Sequence, residues 1–194
     1  MSQEEIIKLR EQTGAGMLDC KKALDEAGND YNKAIEILRK KGEAKAVKKI
    51  AERTAKEGLV YSYIHSSAKI GAMLELFCET DFVARTDDFK NLAHDLAMQI
   101  VAMSPDYLNP EQVPADVLAK EKDIYAEQMK GENKPPEILE KIIMGKLAKF
   151  YEEVCLMKQL FIKDDKITIE DLLKQMIAKT GEKIEIGHFT RFQI

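Results

Sequence analysis

The sequence predicts an α+β protein in which an N-terminal domain of three helices precedes a core domain with a small antiparallel sheet. Two patterns carry this prediction. Short amphipathic segments separated by glycines occupy residues 1–55, and two neighbouring strand patterns are followed much later by a third, with helical patterns between them. Strands and helices arranged in this way are typical of the α+β class. We therefore predict one domain at residues 1–55 and a second at residues 56–194.

Each helix predicted in the first domain is bounded by residues that start or stop helices. Ser2 and Glu5 form a possible capping box for the first helix, because each can pair with a free backbone N–H group. A second helix is predicted over residues 17–27. Asp30 is a suitable N-cap for the third, and Gly42 is predicted to end it. Short loops between amphipathic helices favour a compact three-helix domain.

The core domain is predicted from alternation and helical spacing. Apolar residues alternate along residues 59–66 and 70–79, and the polar link between these strands suggests a hairpin. A sheet of this size needs helices over one face to be stable. The remaining predicted elements are a long helix after residue 86, a helical hairpin at about residues 115–160 with a break at 131–136, a short helix at 170–179 and a last strand at 183–192.

Composition limits the classes of function. The chain has 194 residues, a net charge of −4 and 33% charged residues, which fits a globular domain and argues against broad nucleic-acid binding. No apolar run approaches the ~20 residues that span a bilayer. The acidic N-terminus is unlike a targeting segment, and three widely spaced cysteines suit a reducing compartment. We expect a cytoplasmic protein without direct contact to nucleic acid or membrane.

The sequence lacks the usual signs of an enzyme. It contains no phosphate-binding loop, no dinucleotide glycine fingerprint and no H-E-x-x-H pattern. His65, His94 and His188 are far apart and have no partner at ligand spacing. Cys20 follows Asp19 and precedes two lysines that could lower its pKa, but a packed side chain is the better interpretation. We therefore predict a binding protein with no catalytic residues, bound metal or cofactor of its own.

A lysine-rich segment at residues 43–57 leaves two interpretations. Its cations could contact phosphate, as in a nucleic-acid-binding protein. Glutamates are interspersed with them and no aromatic residue accompanies them, which favours a solvated face on a connecting helix.

The turn after the second strand is the most informative segment. Asp81 and Phe82 lie where an alternating strand passes into a helix, and such connections often carry function. The aromatic ring of Phe82 either packs into the core of the protein or is offered to a partner. The carboxylate of Asp81 either bonds to a partner or caps the following helix.

Two motifs resemble the signatures of a known family. Residues 9–24 read LREQTGAGMLDCKKAL and residues 78–85 read CETDFVAR. Both are similar, in order and spacing, to the two signatures of bacterial and organellar elongation factor Ts, and the resemblance covers the whole chain.

The resemblance implies a guanine-nucleotide exchange factor for the GTPase elongation factor Tu. It implies a ubiquitin-associated-like fold for the N-terminal helices, whose contact with the GTPase is carried by Arg10, Met17 and Leu18; leucine at position 18 replaces the methionine often found there. It also implies that a second set of residues displaces magnesium from the GTPase, with the phenylalanine inserting near the phosphate site. This set is Thr80, Asp81, Phe82 and Val83.

The resemblance further suggests a homodimer. Longer members of the family have a duplicated core, whereas this chain has room for one sheet-bearing core, so a second copy would supply the other half, joined through the sheet region. Two other function classes stay open at this point. The helical domain could act as a ubiquitin- or peptide-binding adaptor, and the lysine-rich segment could bind RNA with a steep dependence on salt.

Overall fold

The computed structural model describes residues 3–129 and 135–194, and Ser2 of the predicted capping box lies outside them. Three helices lead the described chain: α1 (Gln3–Thr13), α2 (Met17–Glu26) and α3 (Tyr31–Glu52). They share a small apolar core made of Leu9, Cys20, Ala23, Leu24, Ala34 and Leu38. The prediction of an N-terminal helical region is confirmed.

The third helix does not end where the sequence predicts. Asp30 caps it as expected, accepting a hydrogen bond from the Lys33 N–H at 3.1 Å. The helix then continues through Gly42 to Glu52, so the predicted end at Gly42 was wrong. A Cβ atom added at Gly42 would lie 3.1 Å from the Cβ of Ala178. Glycine at this position therefore permits close packing against a later helix and does not stop α3.

A small antiparallel sheet forms the centre of the core, as predicted. In the described part of the chain its strands are β1 (Glu57–Ile64), β2 (Ile70–Cys78) and β5 (Glu185–Gln193), in the order β1-β2-β5. Leu59 of β1 pairs with Leu76 of β2, which in turn pairs with Ile186 of β5. Buried and more exposed residues alternate along most of β2, which shows that one face of the sheet is buried.

Helices cover the buried face of the sheet. After β2 come the single-turn helix α4 (Asp81–Ala84) and the long helix α5 (Asp87–Met103). Apolar residues of α5 recur at helical spacing and enter the same core as the inner residues of β2. The members of this set on α5 are Phe89, Leu92, Ala93, Leu96, Ala97, Ile100 and Val101.

The predicted helical hairpin consists of α6 (Ala115–Gln128) and α7 (Pro136–Val154), which contact each other. Most of the predicted break, residues 131–134, lies outside the described residues. Lys146 connects the two helices by donating to the side-chain oxygen of Gln128 at 2.7 Å. None of the helices in residues 3–129 and 135–194 is both long enough and apolar enough to cross a bilayer.

A short hairpin that the sequence did not predict follows α7. It consists of β3 (Leu160–Phe161) and β4 (Asp164–Thr168), and helix α8 (Ile169–Thr180) comes directly after it. The buried side chain of Gln99 holds this hairpin, because its amide donates to Leu160 O at 3.0 Å and accepts from Ile162 N at 2.9 Å. A strand of two residues is too short for its alternation to be recognised in sequence.

Candidate partner-binding surface

The turn predicted to contact a partner is built on the end of β2. Thr80 is the N-cap of α4, and its hydroxyl accepts a hydrogen bond from the Val83 N–H at 3.4 Å. Threonine suits this position because its oxygen satisfies one of the free N–H groups of the first helical turn. The four residues Thr80–Val83 therefore form one compact cluster, and the side chains they present are set by a single turn of helix.

Phe82 is exposed. Its relative accessibility is 78%, one of the highest values among the large apolar side chains that the structure describes. Its neighbours point the other way: Val83 packs partly against the core, Ala84 is buried, and Phe89 is fully buried. Of the two interpretations of Phe82, the structure excludes the one in which the ring packs into the core.

Asp81 lies in the first turn of α4 and does not cap the helix that follows. Thr80 caps α4, and Thr86 caps α5 by accepting from the Phe89 N–H at 3.3 Å. The Asp81 carboxylate instead pairs with Arg85 at 2.9 Å. Both side chains of this pair are substantially exposed, so it contributes little to stability, about 0–1 kcal/mol, and the carboxylate can exchange Arg85 for another donor.

Glu182 supports the turn and was missed by the sequence analysis. It follows Gly181, the left-handed C-cap of α8. Its Oε2 accepts from the N–H groups of Glu79 and Thr80 at 3.2 and 3.0 Å, and its Oε1 accepts from the Thr80 hydroxyl at 2.6 Å. More than a hundred residues separate Glu182 from Thr80, and no local pattern in the sequence indicates this contact.

A second carboxylate ties the same turn to the rest of the molecule. Glu79 accepts from the Lys183 N–H at 2.6 Å and from the guanidinium of Arg53 at 3.1 Å. Burial opposes its ionisation, but the bonds from Lys183 and Arg53 outweigh burial and lower the pKa of Glu79 below its usual range. Glu79 therefore stays charged at neutral pH and joins the end of β2 to the end of α3.

The residues predicted for the N-terminal contact lie on the surface of the helical unit. Arg10 and Met17 line one shallow depression together with Ile7. Leu18 is 74% exposed, although its neighbours on α2 supply the small apolar core. An exposed leucine has no role in the packing of its own domain. Leu18 and Phe82 are thus exposed at two separate places in the structure.

The cysteines are packed side chains. Cys20, Cys78 and Cys155 are buried thiols. Burial raises the pKa of Cys20, which agrees with the prediction of a packed side chain. Burial, with a further contribution from the Glu182 carboxylate, raises the pKa of Cys78 to about 11, and burial raises that of Cys155 to about 11. Thiols with such pKa values are protonated at neutral pH and are poor nucleophiles.

The histidines and the lysine-rich segment show no clustering of ligands. In the part of the chain that the structure describes, no group of three or more His, Cys, Asp or Glu side chains could hold a metal ion. His94 is 3.2 Å from the hydroxyl of Tyr61 and packs edge-on against the Tyr63 ring. Lys49 of α3 donates to the carbonyl of Gly181 at 2.6 Å, so one cation of the segment supports the packing of α3 on α8.

Together, these observations describe an α+β protein that exposes large apolar side chains on its helical unit, at Leu18, and on the turn after β2, at Phe82. A family model described as Elongation factor TS matches residues 5–194. Elongation factor Ts of Fervidobacterium nodosum is 58% identical over 194 residues, which cover 100% of this chain and 98% of the relative. The chain therefore belongs to the elongation factor Ts family, as the two motifs predicted.

Two further relatives agree with this assignment. Elongation factor Ts of Thermotoga petrophila is 57% identical over 100% of this chain and 96% of the relative. Elongation factor Ts of Moorella thermoacetica is 54% identical over 98% of this chain and 93% of the relative. The similarity thus includes both the helical unit and the sheet-bearing core.

Proposed function

We propose that this chain is a guanine-nucleotide exchange factor for elongation factor Tu. It binds the GDP-bound GTPase and promotes GDP release by displacing magnesium and disturbing the phosphate site. Membership of the elongation factor Ts family supports the partner. The observation that carries the mechanism is the 78% exposed ring of Phe82 on a turn held by Thr80 and Glu182.

The mechanism requires no bond making or breaking by this chain. An exchange factor binds the nucleotide-free GTPase more tightly than the GDP-bound one, and linkage then requires that it weaken GDP binding by the same factor. Phe82 suits the task because it offers a large rigid apolar surface with few rotamers to freeze. Its full burial in the partner would supply about 1.5–3 kcal/mol. The rest must come from other contacts.

The helical unit supplies a second contact in this proposal. Leu18, with Met17 and Arg10 beside it, docks on the nucleotide-binding domain of the GTPase, and the three helices take a ubiquitin-associated-like arrangement. The exposure of Leu18 supports this role because burying a leucine that already faces water gains free energy without disturbing the domain. The proposal places the protein in the cytoplasm, without cofactor, catalytic residue or direct nucleic-acid contact.

The assay of this function is the release of a fluorescent GDP from elongation factor Tu, followed by stopped flow. Adding this chain should accelerate the release of GDP at concentrations well below saturation of the GTPase, because an exchange factor turns over. An unchanged release rate would refute the proposal. A parallel pull-down with ubiquitin tests the adaptor alternative, which predicts capture of ubiquitin and no effect on GDP.

We also propose that two copies associate through the outer face of the sheet. The register places Ile64, Gly71 and Phe192 side by side on this face, with Val60 and Met73 nearby. Of these side chains, Val60, Ile64 and Phe192 are between 65% and 70% exposed and Met73 is 47% exposed. Ser62 and Glu75 lie on the same face, so its exposed apolar side chains form a patch with polar residues among them. Exposed apolar patches are typical of interfaces, and a closed two-fold dimer buries such a patch on both copies.

Sedimentation equilibrium tests the dimer. The wild-type chain should show the mass of two copies, and Val60→Glu should show the mass of one, because association would bury the new charge without a partner. Ile124→Glu, at an exposed position on α6, is the matched control and should stay dimeric. A wild-type monomer at micromolar concentration would refute this part of the proposal.

A further inference from the structure

Glu182 connects the end of α8 to the turn that carries Phe82. The left-handed conformation of Gly181, with φ of 80°, ends α8 and turns the chain back toward the end of β2. The carbonyl of Gly181 is held by the Lys49 ammonium at 2.6 Å, and the Lys183 N–H bonds to Glu79 at 2.6 Å. The residues on both sides of Glu182 are thus fixed, and its half-buried carboxylate has a defined position.

The three hydrogen bonds accepted by Glu182 all come from the start of the turn. They restrain the backbone of Glu79 and Thr80 and also the Thr80 hydroxyl. The donation from that hydroxyl to Glu182, at 2.6 Å, orients its lone pairs toward the Val83 N–H. A continuous path of hydrogen bonds therefore runs from Glu182 through Thr80 into the helical turn that bears Phe82.

The turn depends on such external support because α4 has only four residues. A single helical turn is unstable by itself, since its nucleation cost is not recovered by further hydrogen bonds. Packing of Val83 and Ala84 fixes one side of α4 against the core, whereas nothing comparable restrains the exposed ring. The direction of the Phe82 side chain is accordingly set by the start of the helix, which Glu182 holds.

We propose that Glu182 is a positioning residue for nucleotide exchange: it holds Thr80 and thereby orients Phe82 before the partner arrives. This inference rests on the proposed exchange function. Preorganisation matters because a side chain already held in its bound direction loses less entropy on insertion. A protein with a misdirected ring still binds the GTPase through its other contacts, but the ring reaches the phosphate site less often.

The first test needs no partner. The sequence contains no tryptophan, so Phe82→Trp introduces a single fluorescent probe at the tip of the turn. Its time-resolved anisotropy should contain a fast component from rotation of the exposed side chain and a slow component from tumbling of the whole protein. Adding Glu182→Ala should enlarge the fast component because the backbone of the turn also moves, and adding Glu182→Gln should enlarge it less, because the amide oxygen still accepts from the backbone. Unchanged anisotropy in a folded Glu182→Ala protein would overturn the proposal.

Glu170→Ala is the matched control. Glu170 lies at the opposite end of α8 and accepts from Lys158 and Lys174 at 2.8 and 2.6 Å. Its removal takes two hydrogen bonds from the start of α8 without touching the turn, so the anisotropy of the probe should not change. Circular dichroism and urea midpoints establish that each variant is folded. If Glu182→Ala does not fold, the same comparison is made with Glu182→Gln.

The second test measures GDP release from elongation factor Tu with residue 82 left as phenylalanine. Glu182→Ala should lower kcat by about tenfold, since misplacement of a group by about 1 Å can cost more than that, and should change KM little. Glu182→Gln should recover much of the loss and Glu170→Ala should match wild type. A mobile probe with an unchanged kcat would refute the positioning role. If the wild-type protein does not accelerate GDP release from elongation factor Tu, the proposed function fails, while the anisotropy result still reports on the turn.

Discussion

The Phe82→Ala substitution removes a ring that is 78% exposed in the free protein. About a fifth of its surface is covered, so at ~1.5–3 kcal/mol for full burial the folded state should lose only about 0.5 kcal/mol. The remaining four-fifths is available to the partner. If the complex buries it, the transition state for GDP release loses about 1.2–2.4 kcal/mol, which corresponds to an exchange slower by about 8- to 60-fold.

The assay is stopped-flow release of fluorescent GDP from elongation factor Tu, with thermal unfolding of each variant measured in parallel. Phe89→Ala marks the opposite extreme, because Phe89 is fully buried seven residues further on and its truncation should cost about 3–5 kcal/mol. Leu160→Ala, at a half-exposed apolar position on β3, is the control expected to exchange normally.

Two results would refute the reasoning. Wild-type exchange rates in Phe82→Ala would show that the ring does not act on the GTPase. A loss of stability close to that of Phe89→Ala would show that the ring packs into the protein in solution.

Two other predictions follow from burial. Leu18→Ser should leave the unfolding midpoint nearly unchanged, because Leu18 is 74% exposed, but calorimetry should show about tenfold weaker binding to elongation factor Tu. Leu24→Ser, at a buried position, should instead unfold the helical unit. An unchanged affinity in Leu18→Ser would contradict the docking role. Cys78 and Cys155, with pKa values raised to about 11, should react with iodoacetamide about a hundredfold more slowly in the native state than in denaturant.

The raised thiol pKa values also predict a pH dependence of stability. The fold favours the protonated thiols of Cys78 and Cys155, so their contribution is fully present below the ordinary thiol pKa and is lost as the pH rises through about 11. Urea midpoints should therefore fall over this alkaline range, and replacing both cysteines by alanine should flatten that part of the profile. Fast native labelling at neutral pH would show that these thiols are not buried in solution.

Local patterns in the sequence were sufficient for most elements. Alternation along residues 70–79 predicted β2 because each second side chain meets the core and the others face outward. Asp30 predicted the start of α3 because its side chain satisfies an N–H group three residues away. Both elements depend only on neighbours close along the chain.

Errors arose where a residue serves a distant contact. Gly42 has the chemistry of a helix end, yet it lies inside α3, where the absence of a side chain allows Ala178 to pack closely. The hairpin of β3 and β4 was overlooked because its backbone is held by Gln99, about sixty residues earlier in the chain. In both cases tertiary contacts decided the outcome.

The amino-acid order alone placed Asp81 and Phe82 at a junction between a strand and a helix and identified the family, because motifs and junctions between elements are local properties. It left open whether the ring of Phe82 faces the core or water. That direction depends on which side of α4 meets the sheet and on a carboxylate, Glu182, that reaches Thr80 only after the chain has built α5 to α8 and returned. Long-range contacts of this kind have no periodic signature, so the folded structure was required to find them.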